Sequence, residues 1–352
     1  MRVLVTGAAG FVGSHVVDAL VANGHEVVAY DSLLPQAHCG PPDYCNLGAH
    51  WVWADLRSED ALDASLAGVD AVSHQASLVG FGAAFHDVVD YVEQNDLGTA
   101  VLLRALSRRG WRGRLVLASS MVVYGEGAFK CELHGPARPG PRDPVRLASG
   151  EFDPTCSRCG HVLTPFPITE AAEVDPRNAY AATKLHQEHL CAAFGRATDA
   201  NVAFLRYHNV YGERMPFDTP YAGVASIFRS ALEARRPPQV FEDGRQLRDF
   251  ISVGDVAAAN LVALASDAEG PFNIATGSPR TVGEMARVLA RAFHGPQPLV
   301  TGRWRIGDVR HVFASPERAC RELGWTPLTH FEAGVGAFAR EPLRGIHRQS
   351  SS

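Results

Sequence analysis

The chain has 352 residues, 46% of them hydrophobic, and carries a formal net charge of -5. That length can bury a full core and a second, smaller one; the mildly acidic balance leaves no basic footprint for nucleic acid, and no apolar run approaches the ~20 residues that span a bilayer. Because it opens on a strand pattern instead of a signal peptide, the chain is expected to be cytoplasmic, to keep its seven cysteines reduced and to act on a small molecule.

The first predicted strand, 3–6, runs straight into Gly7-Ala8-Ala9-Gly10-Phe11-Val12-Gly13, which opens a helical pattern over 15–22. Glycines let backbone approach a pyrophosphate that a Cβ would hold off, and a helix N-terminus turns free N–H groups and the positive end of its dipole toward the charge. A second apolar run, 26–30, ends in Asp31, roughly 20 residues past the glycines, where an acid can bind ribose hydroxyls. The pattern predicts a dinucleotide site at Gly7, Gly10, Phe11, Val12, Gly13 and Asp31. It favours NAD over NADP, because a 2′-phosphate would meet the like charge of Asp31.

Further apolar, β-branched runs recur at 51–54, 71–74, 115–119 and 202–207, alternating with helical patterns. That rhythm predicts an α/β fold: a doubly wound, parallel Rossmann sheet covered on both faces. The run at 115–119 ends in Ser119-Ser120, hydroxyls at a strand end that would face a nicotinamide. Between 126 and 165 the rhythm breaks, Gly, Pro and Arg crowd together and cysteine reappears, which marks an insertion.

Within the insertion, Cys131-Glu132-Leu133-His134-Gly135 and Cys156-Ser157-Arg158-Cys159-Gly160 repeat one pattern: ligand, two spacers, ligand, glycine. Each half is similar to a zinc knuckle, in which a tight turn aims two ligands at one metal. Cys131, His134, Cys156 and Cys159 would close a tetrahedral structural zinc site that staples a loop too poor in apolar residues to order itself. The alternative is four reduced, metal-free side chains.

Beyond the insertion, Tyr180-Ala181-Ala182-Thr183-Lys184 places a phenol and an ammonium four residues apart, on one face of a helix with Pro176 expected in its first turn. A neighbouring cation would lower the phenol pKa and make Tyr180 a proton acceptor. After 211 come helical patterns around 223–235, 253–265 and 281–293 with a strand near 240, read as a smaller C-terminal α/β substrate-binding lobe formed mainly after the sheet is complete. The expected division is an NAD-binding domain over 1–125 and 166–215, the Cys/His insertion over 126–165, and a lobe, mainly nucleotide-sugar-binding, over 216–345.

The glycine turn, Asp31, Ser120 and the Tyr180/Lys184 pair together resemble the extended short-chain dehydrogenase/reductase family of nucleotide-sugar epimerases and dehydratases, over nearly the whole chain. Further matches are Asp55-Leu56, Arg206-Tyr207-His208-Asn209-Val210-Tyr211-Gly212, Gly244-Arg245-Gln246-Leu247-Arg248-Asp249-Phe250 and Arg305-Ile306-Gly307-Asp308. The resemblance implies that Asp55 and Leu56 lie by the adenine and that Tyr180 is the base. It makes Lys184 the pKa-lowering partner and a ribose ligand, and Ser120 the hydroxyl that orients the reacting sugar oxygen. Asn209, Arg248 and Arg305 would hold the nucleotide diphosphate, two arginines supplying charge-assisted bonds that anchor the nucleotide and leave the sugar free to turn. It also implies a homodimer through helices near 83–108 and 176–198.

Where the resembling dehydratases carry an acid after the hydroxyl residue, this chain has Met121 and Val122, neither of which moves a proton. Elimination is therefore disfavoured, and oxidation at a sugar carbon remains, followed by return of the hydride to the opposite face. The expected activity is an NAD-dependent 4-epimerase passing through a 4-keto sugar. Tyr124-Gly125-Glu126-Gly127, the cysteine insertion and the run Pro220-Tyr221-Ala222-Gly223 resemble bacterial dTDP-L-rhamnose 4-epimerases, which implies Met121 and Tyr221 at the sugar and interconversion with dTDP-6-deoxy-L-talose. UDP-hexose or UDP-glucuronate 4-epimerisation, UDP-glucuronate decarboxylation and a non-enzymatic NAD-binding sensor are the competing readings.

Overall fold

The computed structural model describes residues 1–80, 85–217 and 223–344. Seven strands form its main sheet: β1 (Arg2–Thr6), β2 (Glu26–Asp31), β3 (His50–Trp53), β4 (Ala71–His74), β5 (Arg114–Ser120), β6 (Asn201–Tyr207) and β7 (Gly270–Ile274). They lie in the order β7-β6-β5-β4-β1-β2-β3, and every pairing is parallel. The strand order reverses beside β1, so the crevice at the carboxyl ends of β1 and β4 is the place where such a sheet takes a ligand.

The side-chain period of two sorts each strand between two cores. On β1, Val3 and Val5 join a cluster with Val16, Val17 and Leu20 of helix α1 (Phe11–Ala22), whereas Leu4 points to the opposite cluster with Leu102, Leu106, Cys191 and Phe194. The second face is covered by α2 (Gly98–Arg108) and α3 (Ala179–Thr198). Each fully buried Val or Leu contributes ~1.5–3 kcal/mol, so the near-continuous burial of these strands carries most of the fold's stability.

Helix α3 begins at Ala179, where the Asn178 side chain accepts from the Ala181 N–H at 2.8 Å. Pro176, expected in the first turn, lies ahead of that cap. An Asn side chain that satisfies an otherwise orphaned N–H fixes the start more strongly than a proline's preset φ.

The smaller lobe is built on α4 (Val224–Glu233), α6 (Val282–Ala292) and the helix Phe331–Phe338, packed through Phe228, Leu232, Met285, Leu289, Val335 and Phe338. Helix α6 starts with a reciprocal cap, Thr281 accepting from the Glu284 N–H and Glu284 from the Thr281 N–H. The sheet is not complete at Tyr207, contrary to the sequence expectation: α5 (Val253–Leu264) returns the chain to it, and β7 pairs with β6 from Gly270↔Ala203 to Ile274↔Tyr207. The strand Gly270-Pro271-Phe272-Asn273-Ile274 begins with two strand-poor residues, which hid it from a reading of periodicity.

The insertion forms its own three-stranded sheet: Ala128–Cys131 pairs antiparallel with Gly135–Ala137 and with Thr164–Phe166. Its apolar centre consists of Phe129, Cys131, Cys156 and Leu163, with Ala137 and Cys159 packed against them. Among the described residues, no helix is long and apolar enough to cross a membrane.

Candidate functional site

A single cavity of about 620 Å³ runs from the glycine turn to the smaller lobe. Its inner end is built by the β1–α1 turn. Gly7 has φ +64°, and a Cβ there would stand 2.7 Å from the Ala76 backbone; a Cβ on Gly13 would stand 2.0 Å from the Gly7 carbonyl. Gly10 caps α1 with no side-chain bond, so the first N–H groups of the helix remain turned toward the cavity. Gly7, Gly10, Phe11, Val12 and Gly13 all line it.

Asp31, at the end of β2, accepts from the Ala9 N–H at 2.9 Å and the Leu33 N–H at 2.8 Å. Burial pushes its carboxyl up, and these backbone bonds act against that rise. Asp55 and Leu56 line the same end, Asp55 held by Arg57 at 2.7 Å, which keeps its carboxyl below the usual range. An acid beside a glycine-lined helix N-terminus is a donor set suited to the ribose and pyrophosphate of NAD.

The middle of the cavity brings Ser120, Tyr180 and Lys184 together. Ser120 ends β5 and its Oγ accepts from the Val122 N–H at 3.3 Å, which starts the turn Met121–Tyr124. Lys184, 3% exposed, donates Nζ to the Ala118 carbonyl at 2.9 Å. Burial pulls its ammonium down to about 7. The Tyr180 phenol is pushed well above its usual range by burial, its hydrogen bond with Ser120 acting the other way. The expected depression of Tyr180 by Lys184 is not found, and desolvation favours the neutral form of both groups.

Sequence reasoning missed Glu188, which continues the spacing of Tyr180 and Lys184 along α3. It grips Arg206 of β6 at 2.9 and 2.7 Å and accepts the Ser119 hydroxyl. The spacing of four was the signal; what it lacked was the partner.

At the outer end, Met121, Asn209, Arg248 and Arg305 line the cavity. The Asn209 Oδ1 is buried and has no hydrogen-bond partner among the described residues, so it is available to a ligand. Arg305 lies over the Phe241 ring at 4.7 Å. Arg248 lines the cavity with three of its five N–H donors committed, Nη1 to the Leu247 and Arg310 carbonyls at 2.8 and 2.9 Å and Nη2 to the Val309 carbonyl at 2.7 Å, which leaves Nε and one Nη2 hydrogen uncommitted among the described residues. Burial without those carbonyls would leave the cation unpaired. Tyr221, expected at the sugar, lies outside the described residues. Glu242, Gln246 and Asp308 also line the cavity, as do Arg177 and Arg344, which no sequence motif marked.

Cys131, His134, Cys156 and Cys159 converge in the insertion, their ligand atoms all within 4.8 Å of one another. Cys131 Sγ is 3.6 Å from both His134 Nδ1 and Cys159 Sγ, and Cys156 Sγ is 3.6 Å from His134 Nδ1. Gly135 and Gly160 follow the two turns at φ +72° and +74°, the left-handed conformation that glycine takes at least cost. Backbone N–H groups of Arg158 and Cys159 draw the Cys156 thiol down to about 6.

Comparison with known proteins agrees with this geometry. The model of the NAD dependent epimerase/dehydratase family matches residues 3–144 and 154–275. The chain is 32% identical over 342 residues to a dTDP-L-rhamnose 4-epimerase of Burkholderia thailandensis, covering 95% of this chain and 93% of that one. Among solved structures it is similar to a UDP-glucose 4-epimerase of Thermotoga maritima with UDP-glucose, at TM-score 0.79 and 27% identity over 96% of this chain and 97% of that one. It is similar also to a UDP-glucose 4-epimerase of Thermus thermophilus in complex with NAD, at TM-score 0.76 and 30% identity over 96% and 98%.

Proposed function

The chain belongs to the NAD-dependent epimerase/dehydratase family, and within it we propose an NAD-dependent nucleotide-sugar 4-epimerase that interconverts dTDP-L-rhamnose and dTDP-6-deoxy-L-talose. The observation that carries this reading is the single cavity in which the glycine turn and Asp31 share walls with Ser120, Tyr180 and Lys184 and with Asn209 and Arg305. A dinucleotide and a second, diphosphate-bearing ligand therefore meet at one hydroxyl pair.

The glycine turn, Asp31, Asp55 and Leu56 would hold NAD, whose chemistry there would be reversible hydride acceptance from C4 of the sugar with no net redox change. Tyr180, as phenolate after release of its own proton to solvent, takes the proton of the C4 hydroxyl and gives it back to the opposite epimer. Ser120 orients that oxygen through its own hydroxyl, and Lys184, anchored on the Ala118 carbonyl, holds the polar edge of the site in register with α3. Asn209 and Arg305 bind the diphosphate, about which the ketone intermediate turns to present its other face.

The sugar assignment has two supports. The Burkholderia thailandensis relative acts, by its name, on dTDP-L-rhamnose. In this chain Leu78, Val79, Met121 and Val122 line the cavity with apolar surface that suits the C6 methyl of a 6-deoxy sugar, and Met121 and Val122, which follow Ser120, offer no acid for removing water. Met121 would face the sugar directly.

The test is incubation of the purified protein with dTDP-L-rhamnose and catalytic NAD, following the sugar protons by NMR. Appearance of the C4 epimer without accumulating NADH is expected. Inversion of UDP-glucose or UDP-glucuronate in place of dTDP-L-rhamnose would overturn the sugar assignment, and inertness toward all three would overturn the activity.

A further inference from the structure

We propose that Cys131, His134, Cys156 and Cys159 bind one structural zinc ion, and that the zinc-set insertion positions the outer wall of the ligand cavity through Arg142 and Asp153. The metal part stands on the cluster alone. The positioning part rests on the reading that this wall receives a nucleoside diphosphate.

The geometry fits a tetrahedral ion closely. With Zn–S near 2.3 Å and Zn–N near 2.0–2.1 Å, two sulfurs on one zinc stand about 3.8 Å apart and a sulfur and a nitrogen about 3.6 Å apart. Of the six pairs of ligand atoms, three stand at 3.6 Å and all lie within 4.8 Å. A disulfide needs sulfurs at roughly 2.05 Å, so the Cys131 and Cys159 sulfurs are spaced as ligands and not as a bond.

The surrounding insertion has reason to need the ion. Four buried residues, two of them ligands, make up its apolar centre. A core that small does not offset the ordering of some forty residues, for which small domains commonly use a metal or disulfides. All four positions of the ion would be filled by protein, so it would not be a catalytic metal.

What the insertion holds is the cavity wall. Arg142, its side chain 6% exposed, donates Nη1 to Glu242 at 2.7 Å and both Nε and Nη2 to the Asp308 carbonyl at 2.9 and 2.6 Å. Asp153 accepts from Arg310 Nε at 2.7 Å, and Arg310 in turn grips Glu242 at 2.8 Å and Asp243 at 2.7 Å. Glu242 and Asp308 line the cavity; so does Val309, whose carbonyl fixes Arg248. Arg142 and Asp153 both lie between the two ligand pairs in sequence, so the zinc closes the loop that carries them. They touch the wall and not the ligand, and are positioning residues.

Metal analysis of the purified wild-type chain, prepared with zinc under reducing conditions, is expected to give one zinc per chain. Replacement by cobalt(II) should produce the visible absorption of a tetrahedral thiolate site, diminished in Cys156→Ser. Protein without stoichiometric metal would overturn the site, a result that does not depend on any variant folding. Calorimetry with dTDP then tests the positioning. Arg142→Ala is expected to keep its zinc and weaken dTDP binding roughly 10-fold or more, with part of the loss restored in Arg142→Lys. Full zinc with unchanged dTDP affinity in Arg142→Ala would overturn the positioning role alone. A wild-type protein that binds zinc but no dTDP would overturn the nucleotide reading of the wall, and the positioning role with it, while the metal site stands.

Discussion

Glu188 on α3 receives the Arg206 guanidinium of β6 through two bonds, at 2.9 and 2.7 Å, and both side chains are at most 6% exposed. The pair ties the helix that carries Tyr180 and Lys184 to the strand next to the one ending at Ser120, and the Ser119 hydroxyl joins it. It acts as a rivet between the two halves of the hydroxyl site.

Removing one partner leaves a buried charge uncompensated. Glu188→Ala is expected to lose ~3–5 kcal/mol of unfolding free energy, whereas a paired replacement, Glu188→Leu with Arg206→Met, should lose distinctly less. Denaturant titration of the three proteins checks this; equal losses in the single and double variants would contradict it.

Tyr180→Phe keeps the ring against Tyr91, whose centroid is 6.0 Å away, and removes only the hydroxyl. Epimerisation should fall about 10²- to 10⁴-fold in kcat with KM little changed. Sugar-proton NMR under saturating substrate gives the rate, and undiminished turnover would remove Tyr180 from the chemistry.

Asp31→Asn retains an acceptor for a neighbouring N–H but not the charge. Affinity for NAD should drop about 10- to 100-fold, the worth of charge-assisted bonds to two ribose hydroxyls. NADP should be affected less, because the like charge that repels its 2′-phosphate is gone. Fluorescence titration with both cofactors decides it: a parallel loss would mean that Asp31 acts only by shaping the turn.

Acid sensitivity should be traceable to His74. Its Nδ1 lies 2.7 Å from the Thr6 hydroxyl and its Nε2 2.9 Å from the Thr99 hydroxyl, whose own proton goes to the Asn95 carbonyl. Nε2 therefore carries the hydrogen, Nδ1 accepts, and the neutral ring is fully satisfied. Burial and the nearby Lys184 pull its pKa to about 3 from 6.5. Below pH 6.5 the unfolded chain takes up this proton and the folded chain does not, so stability is full above pH 6.5 and falls as pH drops toward 3, by up to about 1.4 kcal/mol per pH unit for one such group. His38, drawn to about 4 by burial and by Arg344, adds in the same direction. His74→Gln should flatten, without abolishing, the fall in denaturation midpoint between pH 6.5 and 4.5; an unchanged slope would assign it elsewhere.

Local rules account for what was legible in the sequence. The glycine turn, Asp31, the Ser120 strand end and the Tyr180/Lys184 spacing each depend on a few consecutive residues, because backbone approach, helix period and strand alternation are set within one or two turns of chain. The two ligand-x-x-ligand turns were legible for the same reason. The seventh strand was not, since its partner is β6 and its own residues are poor strand formers.

The sequence by itself determined the parallel α/β class, the dinucleotide turn and the residue types of the hydroxyl site. Only the tertiary structure decided that Arg248 commits three of its N–H donors to carbonyls, that Glu188 meets Arg206, and that Arg142 and Asp153 brace a wall made of residues 242 to 310. The reason is physical: a buried charge must find a partner wherever packing offers one, and across a hundred or more residues that choice depends on the assembled fold and not on any local pattern.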